Sequence, residues 1–368
     1  MPIPLPVIDL PAILRHVVEQ GASDLHIKVG SPPRARVNGD LRVTPFPAVG
    51  HEECEDLIKV ILPADRLDEY AATGEADFSL SASGLGRFRC NAFRQRGSTG
   101  VVLRRVLPSA LSAAELGLPP VVTRLAEEQR GLVLVTGPTG SGKTTTLASM
   151  VDHINTNRAA NIISIEDPIE VLHRDKMSII SQREIGSDTR DWSQAMRRVL
   201  RQDPDVILIG EMRDAETIQA GLSAGETGHL VMSSLHTTNA TETINRIVDF
   251  FPPYQQKQVR ISLASVLRGV VSQRLVPRAD GVGRVVAVEA MVMTGRIADR
   301  ILDPHGGNGE SIEEVIADGE YHGMVTFDQS LFNLFKAGEI SLRAALQAAT
   351  NPHDFRVSLQ TAGLLPSL

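Results

Sequence analysis

The sequence predicts an α/β fold: a smaller α+β domain at the amino-terminal end, then a larger domain built on an open parallel sheet. Three observations predict it. The 368-residue length suggests two domains of ordinary size. The pattern changes across residues 107–120, where "LPSALSAAELGLPP" is bracketed by prolines and reads as a linker. Beyond it, short apolar runs alternate with helical periodicity, as a parallel sheet with crossover helices requires. The expected partition is therefore 1–107, a linker at 108–120, and 121–368 with helices at its carboxyl end.

Composition narrows the class. A hydrophobic content of 42% supports a sizeable core and excludes a disordered chain. No run approaches the ~18 apolar residues of a membrane span. The opening "MPIPLPVIDL" lacks a basic stretch and a small-residue cleavage site, so no signal peptide is expected. Cys54 and Cys90 are too few for a disulfide framework or a four-cysteine zinc site and read as core thiols in a reducing compartment. The net charge of −7 gives no general attraction to nucleic acid. A cytoplasmic protein is expected.

In the first domain, "IDLPAILRHVVEQG" is a helix with Ile13, Leu14, Val17 and Val18 on one face and Gly21 as its stop. "SDLHIKV" and "RARVNGDLRV" alternate like strands, with Asn38-Gly39 where a tight hairpin turn needs positive φ. "FRCNAF" also alternates, with Phe88, Cys90 and Ala92 on one face and Arg87, Arg89 and Asn91 on the other.

In the second domain four apolar runs carry the argument. "GLVLVTG" ends at Gly137, "NIISIED" at Glu166-Asp167, "DVILIGE" at Glu211 and "HLVMSSLH" at His236. Each is followed by polar groups, and open α/β sheets bind ligands outside the carboxyl ends of their strands. The four runs point to one shared site.

"GPTGSGKT" fits the phosphate-loop pattern G-x-x-x-x-G-K-[ST]. Gly137, Pro138, Thr139, Gly140, Ser141 and Gly142 would form the loop, whose glycines let backbone N–H groups, which Pro138 lacks, curl around phosphates. Lys143 would reach the β/γ-phosphates, Thr144 would ligate magnesium, and Thr145 would open a helix whose dipole faces the anion. The expected ligands are thus ATP and Mg2+. The aspartate usual at the end of a neighbouring strand is replaced by Gly210. Glu166, Asp167 and Glu170 of "IEDPIE", together with Glu211, still offer enough acid to hold magnesium through water and to polarise an attacking water. Taken alone, "IEDPIE" also fits an Asp-Pro turn, and Glu211 also fits a solvated carboxylate. His229 and His236 are seven apart, so a regular strand puts them on opposite faces. His236, at the carboxyl end, suits a γ-phosphate contact; His229 fits nucleotide binding or packing.

The ordered set "GPTGSGKT", "SIEDPIE", "ILIGEMRD" and "GETGHLVMSSLHTT" resembles the type II/type IV secretion ATPases, hexameric motors with a RecA-like core. "QGASDLHIKVGSPPRARVNGDL", "GRFRCNAFRQRGSTGVVLRR", "VSQRLV" and "GMVTFDQSLFNLF" extend the resemblance over nearly the whole chain and toward the pilus retraction branch. In that family a glycine before the Walker B glutamate is normal. The resemblance implies a RecA-like P-loop ATPase core, a PAS-like first domain, a hexameric ring and ATP hydrolysis coupled to pilus retraction. It also implies docking on an inner-membrane platform protein at the cytoplasmic face. Within the site, it implies Glu166 as general base with Glu211 acting on magnesium through water, two roles open to exchange, and His236 as γ-phosphate sensor. One departure stands out: "GRIADRILDP", followed by "HGGNGESIEE", replaces the "AIRNLIRE"-like helix linked to retraction, which keeps an accessory retraction ATPase as an alternative; a pilus extension or secretion ATPase and a non-hydrolysing nucleotide-binding regulatory subunit are the others.

Arg87, Arg89, Arg94, Arg96, Arg104 and Arg105 form a run without acidic residues. It fits a solvated strand face. The resemblance implies instead arginine fingers acting partly across a subunit boundary, with Arg89 and Arg104 first and Arg96 next. A nucleic-acid surface is disfavoured, because aromatics are only 4% of the chain and only Phe88 and Phe93 interleave the patch. "DWSQAMRRVLRQ" reads as a plain core helix, with Trp192, Ala195, Met196, Val199 and Leu200 as its stripe.

Overall fold

The computed structural model describes residues 8–37, 39–304 and 309–366. Asn38 of the expected hairpin turn, most of the opening stretch and residues 305–308 lie outside the described residues. The chain divides into two compact units: Met1–Ser109 with Pro168–Leu172, and Ala110–Asp167 with His173–Leu368.

The first unit contains α1 (Leu10–Glu19), β1 (Asp24–Lys28), β2 (Arg34–Val37), β3 (Asp40–Val43), α2 (His51–Ile61), α3 (Ala64–Thr73), β4 (Glu75–Ala82), β5 (Gly86–Gln95) and β6 (Ser98–Arg105). The strands form one antiparallel sheet, ordered β3-β2-β1-β6-β5-β4. Asp9 starts α1 by accepting the Ala12 amide at 2.9 Å, and just past its end Gly21 takes a φ of 62°. Ile13, Leu14 and Val17 are buried on the predicted face. On β5, Phe88, Cys90 and Ala92 face the core while Arg89 is exposed, as the alternation predicts. Burial pushes the Cys54 thiol up to about 11 and the Cys90 thiol up to about 12, so both stay protonated at neutral pH.

The second unit runs α4 (Pro120–Ala126), β7 (Gly131–Thr136), α5 (Lys143–Asn157), β8 (Asn161–Glu166), β9 (Ile179–Glu184), α6 (Trp192–Val199), β10 (Val206–Ile209), α7 (Ala215–Glu226) and β11 (Leu230–Leu235). It continues with α8 (Ala240–Asp249), α9 (Pro253–Val266), β12 (Leu267–Pro277), β13 (Arg284–Val292), α10 (Gly295–Leu302), α11 (Ile312–Ala317), α12 (Phe327–Lys336), α13 (Leu342–Ala348) and α14 (Pro352–Thr361). Its sheet is ordered β13-β12-β7-β11-β10-β8-β9, with every pairing parallel except the β12–β13 hairpin. This is the expected RecA-like α/β core.

The four apolar runs are four adjacent strands. Every residue of β7, β10 and β11 is buried, because helices cover both faces of a parallel sheet. Register aligns their ends: Thr136 pairs with Leu235, Ser233 with Ile209, and Ile209 with Ile165. All four carboxyl ends therefore share one edge. The predicted stripe on α6 needs one correction. Ala195, Met196 and Val199 are buried, but Leu200 is exposed, because the helix ends at Val199 and the chain turns away.

Candidate nucleotide-binding site

The loop between β7 and α5 is shaped by its glycines. Gly137, Gly140 and Gly142 all have positive φ, at 146°, 78° and 93°. At Gly137 space is also decisive: a Cβ there would lie 2.5 Å from Ser141 Oγ and 2.6 Å from the Gln273 carbonyl oxygen. Pro138, Thr139 and Gly140 are exposed at the crest. Ser141 is buried, and its Oγ has no hydrogen-bond partner. A buried hydroxyl without a partner is costly in a closed loop, and a phosphate oxygen is a suitable acceptor for it.

Lys143 is the first residue of α5 and is nearly buried. Its ammonium donates to the carbonyls of Gly137 at 2.9 Å and Pro138 at 3.1 Å and lies 3.4 Å from His236 Nδ1. Thr144 is exposed and Thr145 half-buried on the first turn; the next hydroxyl, Thr146 Oγ1, accepts from Gln273 Nε2 at 2.8 Å.

His236 links this loop to Glu211. An ammonium only donates, so Nδ1 accepts from Lys143, which leaves the ring proton on Nε2. That nitrogen lies 3.1 Å from Glu211 Oε1, and Arg213 reaches Glu211 Oε2 at 2.8 Å. The result is a continuous polar chain, Lys143–His236–Glu211–Arg213, across the carboxyl ends of β7, β11 and β10. Its hydrogen bond to the Glu211 carboxylate holds the Arg213 guanidinium above its ordinary pKa.

Gly210 lies close against the neighbouring strand. A Cβ at that position would lie 3.3 Å from the Ile165 carbonyl oxygen and 3.4 Å from Glu166 Cα. A side chain there would need the β8 backbone beside Glu166 to give by a few tenths of an ångström. The neighbouring strand end supplies the acid instead. Glu166 is buried, and its Oε1 accepts from Ser164 Oγ at 2.5 Å and Gln182 Nε2 at 3.1 Å. Gln182 comes from β9, where Glu184 stands in register with Glu166. "IEDPIE" does not act as one block. Glu166 and Asp167 belong to the second unit, whereas Glu170 lies in the excursion grouped with the first, where its carbonyl accepts the Leu107 amide.

His229 is not brought to the loop. It precedes β11 at the amino edge of the sheet, where its Nδ1 lies 3.0 Å from the Ala224 carbonyl and 3.1 Å from Thr227 Oγ1. Its own carbonyl accepts the Gly131 amide at the start of β7. Seven residues of extended chain, about 20 Å, separate it from His236. Within this chain it closes the α7–β11 turn, away from the phosphate loop where the sequence expectation had placed it.

In the first unit the arginines divide. Arg94 stacks over Tyr70, Arg87 bonds Ser81, and Arg96 adopts a φ of 52° at the tip of the β5–β6 hairpin. Arg89 and Arg104 are cross-strand neighbours and line a cavity of about 270 Å3 with Asp24 and Asp77. Arg104 Nε donates to Asp24 Oδ1 at 2.8 Å. Burial pushes the Asp24 carboxyl up, but the Arg104 and Ser23 hydrogen bonds outweigh it and leave the carboxyl below its usual range.

The partners that sequence reasoning missed are Arg213, Gln182 and Gln273. Arg213 stands two residues after Glu211, a proximity that could have flagged it. Gln182 and Gln273 have no local signal, because pairing with β8 and β7 alone brings them to the site. The donor set fits magnesium with phosphate: an exposed threonine hydroxyl on the loop helix, a carboxylate tied to the loop lysine through one imidazole, and an unpartnered loop hydroxyl.

Comparison with known proteins agrees with this geometry. The family model described as "Type II/IV secretion system protein" matches residues 5–308. The chain is 43% identical to the type IV pilus retraction ATPase PilT of Pseudomonas aeruginosa, over 95% of this chain and 100% of that protein. It is 39% identical to the type IV pilus ATPase PilU of the same organism, over 95% and 90% of the two chains. A twitching motility protein of Neisseria gonorrhoeae is 42% identical over 87% and 84%. Among solved structures, the pilus retraction motor PilT with bound ADP superposes with a TM-score of 0.85 at 42% identity, covering 94% of this chain and 98% of that one. The ATPase DotB of Legionella pneumophila follows, with a TM-score of 0.73 at 27% identity over 94% and 96%.

Proposed function

The chain belongs to the Type II/IV secretion system protein family, and from that premise we propose that it is an ATP-hydrolysing motor that powers type IV pilus retraction, working as a homohexameric ring. The observation that carries the reading is the polar chain from Lys143 through His236 to Glu211, built at the carboxyl edge where the four strands end.

In this reading Lys143 exchanges its two loop carbonyls for the β/γ-phosphate oxygens, and the N–H groups of residues 139–145 hold the anion at the α5 N-terminus. Magnesium, held by the Thr144 hydroxyl and through water by Glu211, would neutralise phosphate charge. Glu166 takes the proton of the attacking water, with Ser164 and Gln182 fixing its carboxylate. His236, bonded on both sides, reports the γ-phosphate to Glu211. Arg89 and Arg104 add guanidinium charge to a neighbouring protomer's nucleotide. Docking to a membrane-platform protein from the cytoplasmic side completes the motor; no helix of the described residues is long and apolar enough to cross a membrane.

Two experiments test the reading. Cells lacking the gene should be over-piliated and unable to twitch, whereas bald cells would indicate an extension motor. Arg104→Ala and Lys143→Ala proteins, each inactive alone, should regain partial ATPase activity in rings reassembled from dissociated subunits. Rings shown to be mixed yet no more active than the separate mutants would rule out Arg104 acting in trans. A second reading, an accessory retraction ATPase, is favoured by one observation: α10 carries "GRIADRIL" in place of the helix linked to retraction. It predicts that deletion leaves twitching intact under light load.

A further inference from the structure

The β12–β13 hairpin supplies three buried polar side chains to the nucleotide-site scaffold. Ser272 Oγ lies 2.9 Å from Thr136 Oγ1, the last residue before the phosphate loop. Gln273 Nε2 donates to Thr146 on the first turns of α5. Glu289, in register with Ser272, accepts the Ala240 amide at 2.8 Å through Oε1. Ala240 opens α8, immediately after the 236–239 loop that carries His236. The other end of that loop is fixed by β11, so Glu289 and the Asn239 cap together determine where α8 begins.

We infer that Glu289 is a positioning residue for ATP hydrolysis, anchoring the His236 loop so that the imidazole stays between Lys143 and Glu211. The inference rests on the proposed role of His236. Geometry carries it: Glu289 is buried, a hydrogen bond joins it to the first amide of α8, and the residues named above place no other function on it. The same hairpin packs against the carboxyl-terminal helices, where the Val288 amide donates to Ser330 Oγ on α12 and Arg274 donates to the Ala348 carbonyl on α13.

The groups acting on Glu289 come from every side. Burial pushes its carboxyl up to about 7; the Ala240 amide of α8 and Arg274 of β12 pull it down, while Glu313 of α11 and Asp328 of α12 push it further up. A raised folded-state value means the group favours folding below its ordinary value of 4.5, and that contribution is lost as pH rises through about 7. At pH 8 the anion is therefore a burden on stability and a stronger, charge-assisted acceptor for the Ala240 amide.

The test uses full-length Glu289→Gln and Glu289→Ala proteins beside His236→Ala, with kcat and KM measured from pH 6 to 8.5. Alanine should lower kcat roughly 10-fold or more while KM for ATP stays within about twofold, because the phosphate loop is untouched. Glutamine keeps an acceptor and should restore most of kcat, but should lack the rise in kcat through pH 7 expected of the parent. If the alanine protein does not fold, the glutamine pH profile decides: an inflection identical to the parent's overturns the proposal. So does an alanine protein with parental kcat, or one whose loss is all in KM. Parental activity in His236→Ala would instead overturn the role of His236, a separate failure.

Discussion

The two ends of β11 carry the same residue type in opposite circumstances. His229 enters the strand and His236 leaves it, and both lie within one continuous motif. At the amino edge the ring of His229 is occupied by the Ala224 carbonyl and Thr227, local groups that close a helix-to-strand turn. At the carboxyl edge both ring nitrogens of His236 reach charged groups from other elements, Lys143 at the start of α5 and Glu211 just past β10. In a parallel sheet the carboxyl ends collect the loops, the α5 N-terminus and the converging polar side chains, while the amino ends collect returns from helices. The edge therefore decides the chemistry a histidine can do.

The largest effect that would break this contrast is at Lys143. Lys143→Ala removes the ammonium that closes the loop and should reduce ATP hydrolysis to background, with loss of nucleotide affinity in a fluorescent-nucleotide titration. Turnover above a tenth of the parent would refute the phosphate-loop assignment. Next is Glu166→Gln. It should bind nucleotide normally but lose roughly 10²–10⁴ in turnover, the range a positioned general base supplies. Normal turnover would pass that role to Glu211, whose own glutamine variant is the following measurement. The smallest effects sharpen the contrast directly. His236→Ala should cut kcat by roughly 10-fold or more through the lost link between Lys143 and Glu211. His229→Ala should leave kcat within about twofold and lower stability by about 1 kcal/mol, the worth of one local hydrogen bond. Equal kinetic losses in the two variants would dissolve the distinction between the edges.

Much of the site was legible because its elements are local. The glycine spacing of residues 137–142 encodes positive φ, the lysine and threonine that follow are adjacent in sequence, and each apolar run names its own strand. Gly210 was legible as an absence but not as a cause. Only the pairing of β10 with β8 reveals that a Cβ there would come within 3.3 Å of the Ile165 carbonyl oxygen, beside Glu166. The arginine patch shows the same limit. Composition marks six side chains alike, and only their neighbours separate the stacked Arg94 and the hairpin-tip Arg96 from the pair Arg89 and Arg104.

By itself, then, the sequence determined the α/β class, the phosphate loop, the four parallel strands and the family, since these follow from periodicity and from motifs a few residues long. Tertiary structure decided which carboxylates and imidazoles meet. Glu166 meets Gln182, His236 meets Lys143 and Glu211, and Glu289 meets the start of α8, across separations of 16 to 93 residues. Strand order and register set those meetings, and neither is written in any local stretch of chain.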